Sequence, residues 1–476
     1  MTDEKIIITE EKLIELLAKR YDKGTIDLYY QKFLDDNLIF PNQDSCIKFF
    51  MTLVQGFDHE LFCKTPIDPL DFFGIENFKG ESEYFKYSEL LKRTRNELLE
   101  CIDNGIHIPS GVISDFYARY AHAMFAIGNH LMALDLCQEA LKYDQDNSLS
   151  LFIKACIIEY CYINKNNDIY KIALTNYQKS LIDKCDSCKT WIDKRIFDSV
   201  HGVIDMKMKD FGVLAQCMKL TIAADTYEKT KEIDSSWTEE KDFYLRNNLF
   251  LNPLNIFDLF LSAQNEEFDE LLLDESSKQY FSEIVEDYKM CRKNLFEYHQ
   301  DPRIDNRAMA MVYSYTYTIF DKIAFLISKV YDLNVGKVFY FKKNFFEYKL
   351  KSNNVDLGEI KNDNIVPLYL LASDVNDPQD ENNEKNVISI ESLKLRLTRN
   401  QIEHHSLVFV DSEVLKRNAL ILLKIARNAI LHTFMLIHSC PIDKSKDKIT
   451  TIGTTYYQAI LNIVQEGKHK DLIKQS

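Results

Sequence analysis

Residues Arg307 to Asp332 read RAMAMVYSYTYTIFDKIAFLISKVYD, and their apolar side chains recur at helical spacing over about seven turns. That period predicts one long helix with a continuous buried face, and Asp321 stands among apolar neighbours on it. The whole chain supports the same reading. Only 13 Gly and 9 Pro occur in 476 residues, with 46% hydrophobic and 12% aromatic content, a balance that disfavours turn-rich β architecture. The expected class is mostly α. The length exceeds one compact core, so we divide the chain into a helical region at 1–232, a connector at 233–304 packed on both neighbours, and a helical domain at 305–476.

Working outward from the long helix, GKVFYFKKNFFEYKLK (336–351) interleaves aromatic and basic residues, with β-type alternation through Val338 to Phe341. Lys342 and Lys343 in this run, like Arg396 further on, can hold RNA phosphates while the rings stack bases; the ordinary alternative is core aromatics with lysines guarding an edge. Asp374 to Asn386 is a polar loop, and helices are expected at about 388–407, 411–438 and 453–466. Toward the N-terminus, LRNNLFLNPLNIFDLFL (245–261) is broken by Pro253. Before it, DFYARYAHAMFAIGNHLMALDLCQEALKYDQD (115–146) places Tyr117, Tyr120, Ala121, Gly128, Ala133, Cys137 and Ala140 at the large and small positions of a tetratricopeptide (TPR) repeat. Ala155, Ala173, Tyr177 and Ser180 carry a second, interrupted unit, and helices near 85–104 and 191–232 are needed to complete a solenoid. An ordinary helical hairpin is the alternative.

The stretch Arg396 to Leu407, RLTRNQIEHHSL, concentrates chemistry. On a helix, Asn400 stacks over His404 and Arg399 over Glu403, so a fixed cation, an amide, a carboxylate and a proton-transfer group share one strip. Cleavage of RNA needs such groups: a base for the 2′-hydroxyl proton, an acid for the leaving 5′-oxygen and a cation for the charge that builds on phosphorus. His serves either proton role near neutral pH, and Arg engages phosphate oxygens bidentately. The ordinary reading is a solvated face with an Arg–Glu pair worth a few tenths of a kcal/mol. His405 points about 100° away from His404. With 13 Arg and 11 His, chance supplies about 0.3 pairs at the R-x4-H spacing. The chain has a second, Arg427 to His432, whose intervening apolar residues mark it as the polar edge of a packing helix or as a further lining of the same cleft.

The R-x4-H spacing at 399–404, with Asn after the arginine, resembles the HEPN superfamily of metal-independent ribonucleases. The order of a long first helix, the VFYF segment, the motif helix and an apolar helix is similar too. TPR-like repeats, LFLNPLN, IFDKIAF and the RN-x3-H motif together resemble a prokaryotic branch that joins repeats to a C-terminal HEPN domain. The resemblance implies a four- or five-helix bundle with a short extended segment, a homodimer facing two motifs across a composite site, and a host-defence or toxin RNase. It implies Arg399, Asn400 and His404 as catalytic residues, Glu403, Asp321 and His405 as their support, and no cofactor. A non-catalytic TPR/HEPN regulator that binds protein or RNA is the competing expectation.

Charge, cysteines and termini narrow the class. The net charge of −15 argues against a general nucleic-acid coat. Yet residues 388–476 carry 13 Lys and Arg against 8 Asp and Glu, so any polyanion belongs at the C-terminal part. Eleven scattered cysteines, often in apolar runs, fit a reducing cytoplasm; Cys185 and Cys188 lack the second ligand pair of a zinc site, and no metal is expected. The acidic N-terminus reads as no signal peptide. Ala419 to His438 is very apolar, but Lys424, Arg427 and His432 make it a buried helix rather than a membrane span. Walker-type, G-x-G-x-x-G and HExxH motifs are absent, which speaks against a nucleotide motor or zinc hydrolase. The partners expected are RNA, a second copy, and a protein or ligand at the repeats.

Overall fold

The structure is a computed structural model that describes residues 5–34, 37–64, 83–127, 129–147, 149–151, 153, 238–247, 249–251, 273–300, 306–334, 340–351, 354–360, 362, 364–376, 398, 402, 412–439, 442–443 and 448–449. It is mostly helical, as the scarcity of Gly and Pro requires. Strands among the described residues are two-residue pieces. Ile6–Ile7 (β1) pairs in parallel with Leu38–Ile39 (β2), and Ile442–Asp443 (β3) pairs antiparallel with Lys448–Ile449 (β4).

The N-terminal part begins with α1 (Glu10–Ala18), α2 (Lys23–Leu34) and α3 (Gln43–Asp58). Thr9 and Asn42 cap α1 and α3 by accepting from Lys12 and Ser45 backbone N–H groups, which satisfies donors that a helix start leaves open. Then come α4 (Glu83–Asp103), α5 (Ser110–Ala126) and α6 (His130–Tyr143). The last two form a tight hairpin. Ala118, Ala121, Ala133, Cys137 and Ala140 are fully buried, so the two backbones approach without large side chains between them. This is the expected helix pair of 115–146; Gly128 and the second unit at 155–180 lie outside the described residues, as do Cys185, Cys188, Pro253 and the helix expected at 453–466.

The C-terminal bundle is built from α7 (Glu239–Arg246), α8 (Glu275–Gln300), α9 (Asn306–Val330), α10 (Ile365–Asn376) and α11 (Ser412–Ser439). The long helix read from 307–332 is α9. Ile319, Phe320, Ile323, Ala324 and Ile327 form its fully buried stripe, and it packs against both α8 and α11. Lys322 Nζ reaches Asp287 Oδ2 of α8 at 2.6 Å, and the Tyr331 hydroxyl donates to the Leu436 carbonyl of α11 at 3.2 Å. Helix α8 runs through the expected connector and packs directly into this bundle.

Of the alternation expected through Val338 to Phe341, the last two positions fall among the described residues. Residues 335–339 lie outside the described set, Tyr340 is exposed and Phe341 is buried, but the chain then tightens into a 3-10 turn at Lys343–Glu347. Phe345 and Phe346 are successive and both buried, which strand geometry cannot achieve on one face. Among the described residues of this region, extended pairing consists of isolated bridges, Leu333 with Leu350 and Lys349 with Asp356.

Candidate functional site

Arg396, Arg399, Asn400, Glu403, His404 and His405 lie outside the described residues. Their frame is partly described. Thr398, immediately before Arg399, is helical and buried, and its Oγ1 accepts from Asn418 Nδ2 of α11 at 2.8 Å. Ile402 is helical as well and packs on the hydrophobic core. A buried hydroxyl–amide bond holds Thr398 against α11, and an apolar contact seats Ile402 on the core.

Asp321 does not stand idle on α9. Its Oδ1 accepts from the Phe341 backbone N–H at 3.3 Å, which ties the aromatic run to the long helix. Lys342 lies half-buried with its ammonium 4.8 Å from the Tyr340 ring centre, and Lys343 is also half-buried. Three of the rings in the run, Phe341, Phe345 and Phe346, are core residues and unavailable for stacking on a base.

The second RN-x3-H, at 427–432, is a buried polar network. Arg427 is 1% exposed; its Nε donates to the Phe250 carbonyl at 2.6 Å and an Nη to Asn428 Oδ1 at 2.9 Å. The neighbouring Leu249 carbonyl accepts from Tyr288 Oη and from Arg292, whose guanidinium lies 4.1 Å from the Tyr244 ring centre. Two arginines therefore satisfy successive carbonyls of the Leu249–Leu251 segment, where it crosses the bundle without regular structure. His432 is 1% exposed, with Nδ1 at 2.9 Å from Asn364 Oδ1 and Nε2 at 3.2 Å from Asn129 Oδ1. Burial, and then the charges of His130 and Arg427, push its pKa down to about 3, so the ring is neutral at physiological pH. Asn428 Nδ2 lies 3.4 Å from Asp135 Oδ2. Through Asn129 and Asp135, α6 thus meets α11. These residues join the N-terminal helices to the bundle and do not face a cleft; the alternative of a shared cleft lining is overturned by their burial. A second cross-connection runs from Lys92 Nζ of α4 to Asp374 Oδ1 of α10 at 3.5 Å.

An open cleft of about 660 Å³ lies between α7, the C-terminal end of α8 and the N-terminal turns of α11. Glu239, Asp242 and Phe243 line it from α7, His299 from α8, and Lys416 and Arg417 from α11. Phe243 and His299 have ring centres 5.0 Å apart. Burial and the Lys416 charge lower the His299 pKa, against an opposing pull from Glu413. Sequence reading missed this cleft because its walls come from elements about 170 residues apart in the chain. The one local signal was the Lys416-Arg417 pair near the start of an apolar helix. Among the described residues no group of three or more His, Cys, Asp or Glu side chains is arranged to hold a metal ion.

Residues 303–440 match the LA2681-like HEPN family model. The C-terminal segment is HEPN-like. Helices α9, α10 and α11 all fall within the matched span, and so does the sequence 399–404. No curated protein and no solved structure matches the chain. The HEPN-like assignment accords with the all-helical architecture and with the order of elements around the motif. It points to a nuclease or RNA-binding function in general terms. Ser412–Ile437, most of α11, is long and apolar enough to cross a bilayer, but it is largely buried by its own bundle.

Proposed function

We propose that the chain is a metal-independent endoribonuclease that cleaves RNA through attack of the 2′-hydroxyl, with Arg399 holding the phosphate, His404 transferring the proton and Asn400 binding phosphate or orienting His404. The observation that carries this reading is the HEPN-family match over 303–440, which contains the RN-x3-H sequence at 399–404. The burial of Arg427 and His432 supports it by elimination: a neutral imidazole without access to solvent cannot exchange protons with substrate, so the other R-x4-H pair is the one left for chemistry. Glu403 and His405 support the pair, and Asp321 supports it indirectly through the Phe341 backbone. One motif supplies one histidine, whereas the reaction uses an acid and a base, so a homodimer with two facing motifs is part of the proposal. The helices of 1–232, read as TPR-like repeats, would receive a protein or ligand that governs cutting, in a cytoplasmic host-defence or toxin role.

Purified protein should cleave RNA in excess chelator and leave 2′,3′-cyclic phosphate ends. Arg399→Ala and His404→Ala should each abolish cleavage without loss of fold. A dependence on added metal, or activity that survives both substitutions, refutes the mechanism.

A further inference from the structure

We infer that the cleft between α7, α8 and α11 is a subsite for one unpaired nucleotide whose base carries an exocyclic amine: cytosine, adenine or guanine rather than uracil. The inference rests on the ribonuclease reading for its biological context, but its geometry stands apart from the 399–404 motif.

The cleft's composition selects the ligand. A groove for a bare polyphosphate backbone would be lined by cations, yet Glu239, Asp242 and Glu413 share this one with Lys416 and Arg417. Carboxylates accept hydrogen bonds and donate none, so they favour a ligand edge that bears N–H groups. Uracil offers one ring N–H between two carbonyls; cytosine, adenine and guanine each offer an amino group. Phe243 and His299 supply adjoining rings of the kind on which unpaired bases stack. Arg417 is exposed, and among the described residues neither its side chain nor that of Lys416 forms a hydrogen bond or ion pair, which leaves both to meet a phosphate at the rim.

The α11 wall of the cleft is next in sequence to the residue that holds the described start of the motif segment. Arg417 and Lys416 precede Asn418, the residue that holds Thr398, and Thr398 immediately precedes Arg399.

The test uses the full-length protein with His404→Ala as background, so that RNA is not consumed. Fluorescence anisotropy would compare fluorescein-labelled cytidine, adenosine and uridine pentamers, with free CMP and UMP as competitors. Cytidine and adenosine oligomers should bind about tenfold more tightly than uridine. Glu239→Gln with Asp242→Asn should reduce that preference to about twofold while leaving uridine affinity unchanged. Arg417→Gln, an exposed change that spares the fold, should weaken all three oligomers by about three- to tenfold. CMP should displace the labelled cytidine pentamer about tenfold better than UMP does, and equal displacement by the two, or none by CMP, overturns the one-nucleotide subsite. Equal affinity for the three oligomers, or a preference that survives the carboxylate substitutions, overturns it. Base-selective binding by a protein that never cuts RNA would instead sink the catalytic reading and leave the subsite standing.

Discussion

Replacing Arg427 by Met separates a structural from a chemical role for the second RN-x3-H. The guanidinium is buried and donates to the Phe250 carbonyl at 2.6 Å and to Asn428 Oδ1 at 2.9 Å. Hydrogen bonds from a charged donor contribute roughly 1.5–3 kcal/mol each, and a buried carbonyl left without a donor costs about 1–3 kcal/mol more. Against this, methionine fills part of the volume and removes the cost of burying a charge, which is several kcal/mol. The net expectation is a loss of about 2–4 kcal/mol, with the Leu249–Leu251 segment released from α11. Urea unfolding followed by far-UV circular dichroism would show it as a midpoint lower by about 1 M, given a slope near 3 kcal/mol/M. Hydrogen exchange should rise at Leu249, Phe250 and Leu251. A variant whose midpoint stays within about 0.2 M of the parent, yet which no longer cleaves RNA, would refute the structural assignment and return this pair to the chemistry.

Three further outcomes follow from buried groups. His130 and His432 both have pKa values pushed down to about 3 by burial, so an unfolded chain binds protons that the folded one refuses. Their stabilising effect is fully present above about pH 6.5 and declines by roughly 1.4 kcal/mol per pH unit per proton as pH falls toward the folded values; melting curves between neutral and acid pH check this, and His432→Gln should flatten the slope. Asp58, 1% exposed, is pushed up by burial but brought below its ordinary value by the charge and hydrogen bond of His122 at 2.9 Å and by Arg119 at 3.2 Å. Asp58→Asn, which removes one of Arg119's two carboxylate partners and leaves Asp115 at 3.0 Å as the other, should cost about 3 kcal/mol, and an unchanged thermal midpoint would show that the cluster is not stabilising. Gly56 lets α3 meet the preceding turn and α2, since an added Cβ would sit 2.6 Å from the Arg20 carbonyl oxygen and 2.6 Å from Ile26 Cδ1. Gly56→Ala should therefore destabilise by about 1–3 kcal/mol in a denaturant titration.

The sequence by itself determined the helical class, the long helix at 307–332, the apolar helix at 411–438 and the hairpin at 115–146. Each rests on a local period of apolar and small residues, and such periods follow from backbone geometry that acts within a few turns. It also isolated Asp321 as a polar residue on an apolar stripe, without revealing that its partner is the Phe341 backbone. The alternation read at 338–341 gave no sign of the 3-10 turn that follows at Lys343–Glu347, where neighbouring elements draw the successive rings of Phe345 and Phe346 inward. Only tertiary structure showed the second R-x4-H pair to be interior, by burying Arg427 and His432 against Phe250, Asn364 and Asn129. Only tertiary structure assembled the cleft of Asp242, Phe243, His299 and Arg417. Both depend on contacts between residues far apart in the chain, and for those the local pattern carries no information: the same Arg-Asn-x3-His spacing is a reactive strip if solvent reaches it and a set of internal hydrogen bonds if another helix covers it.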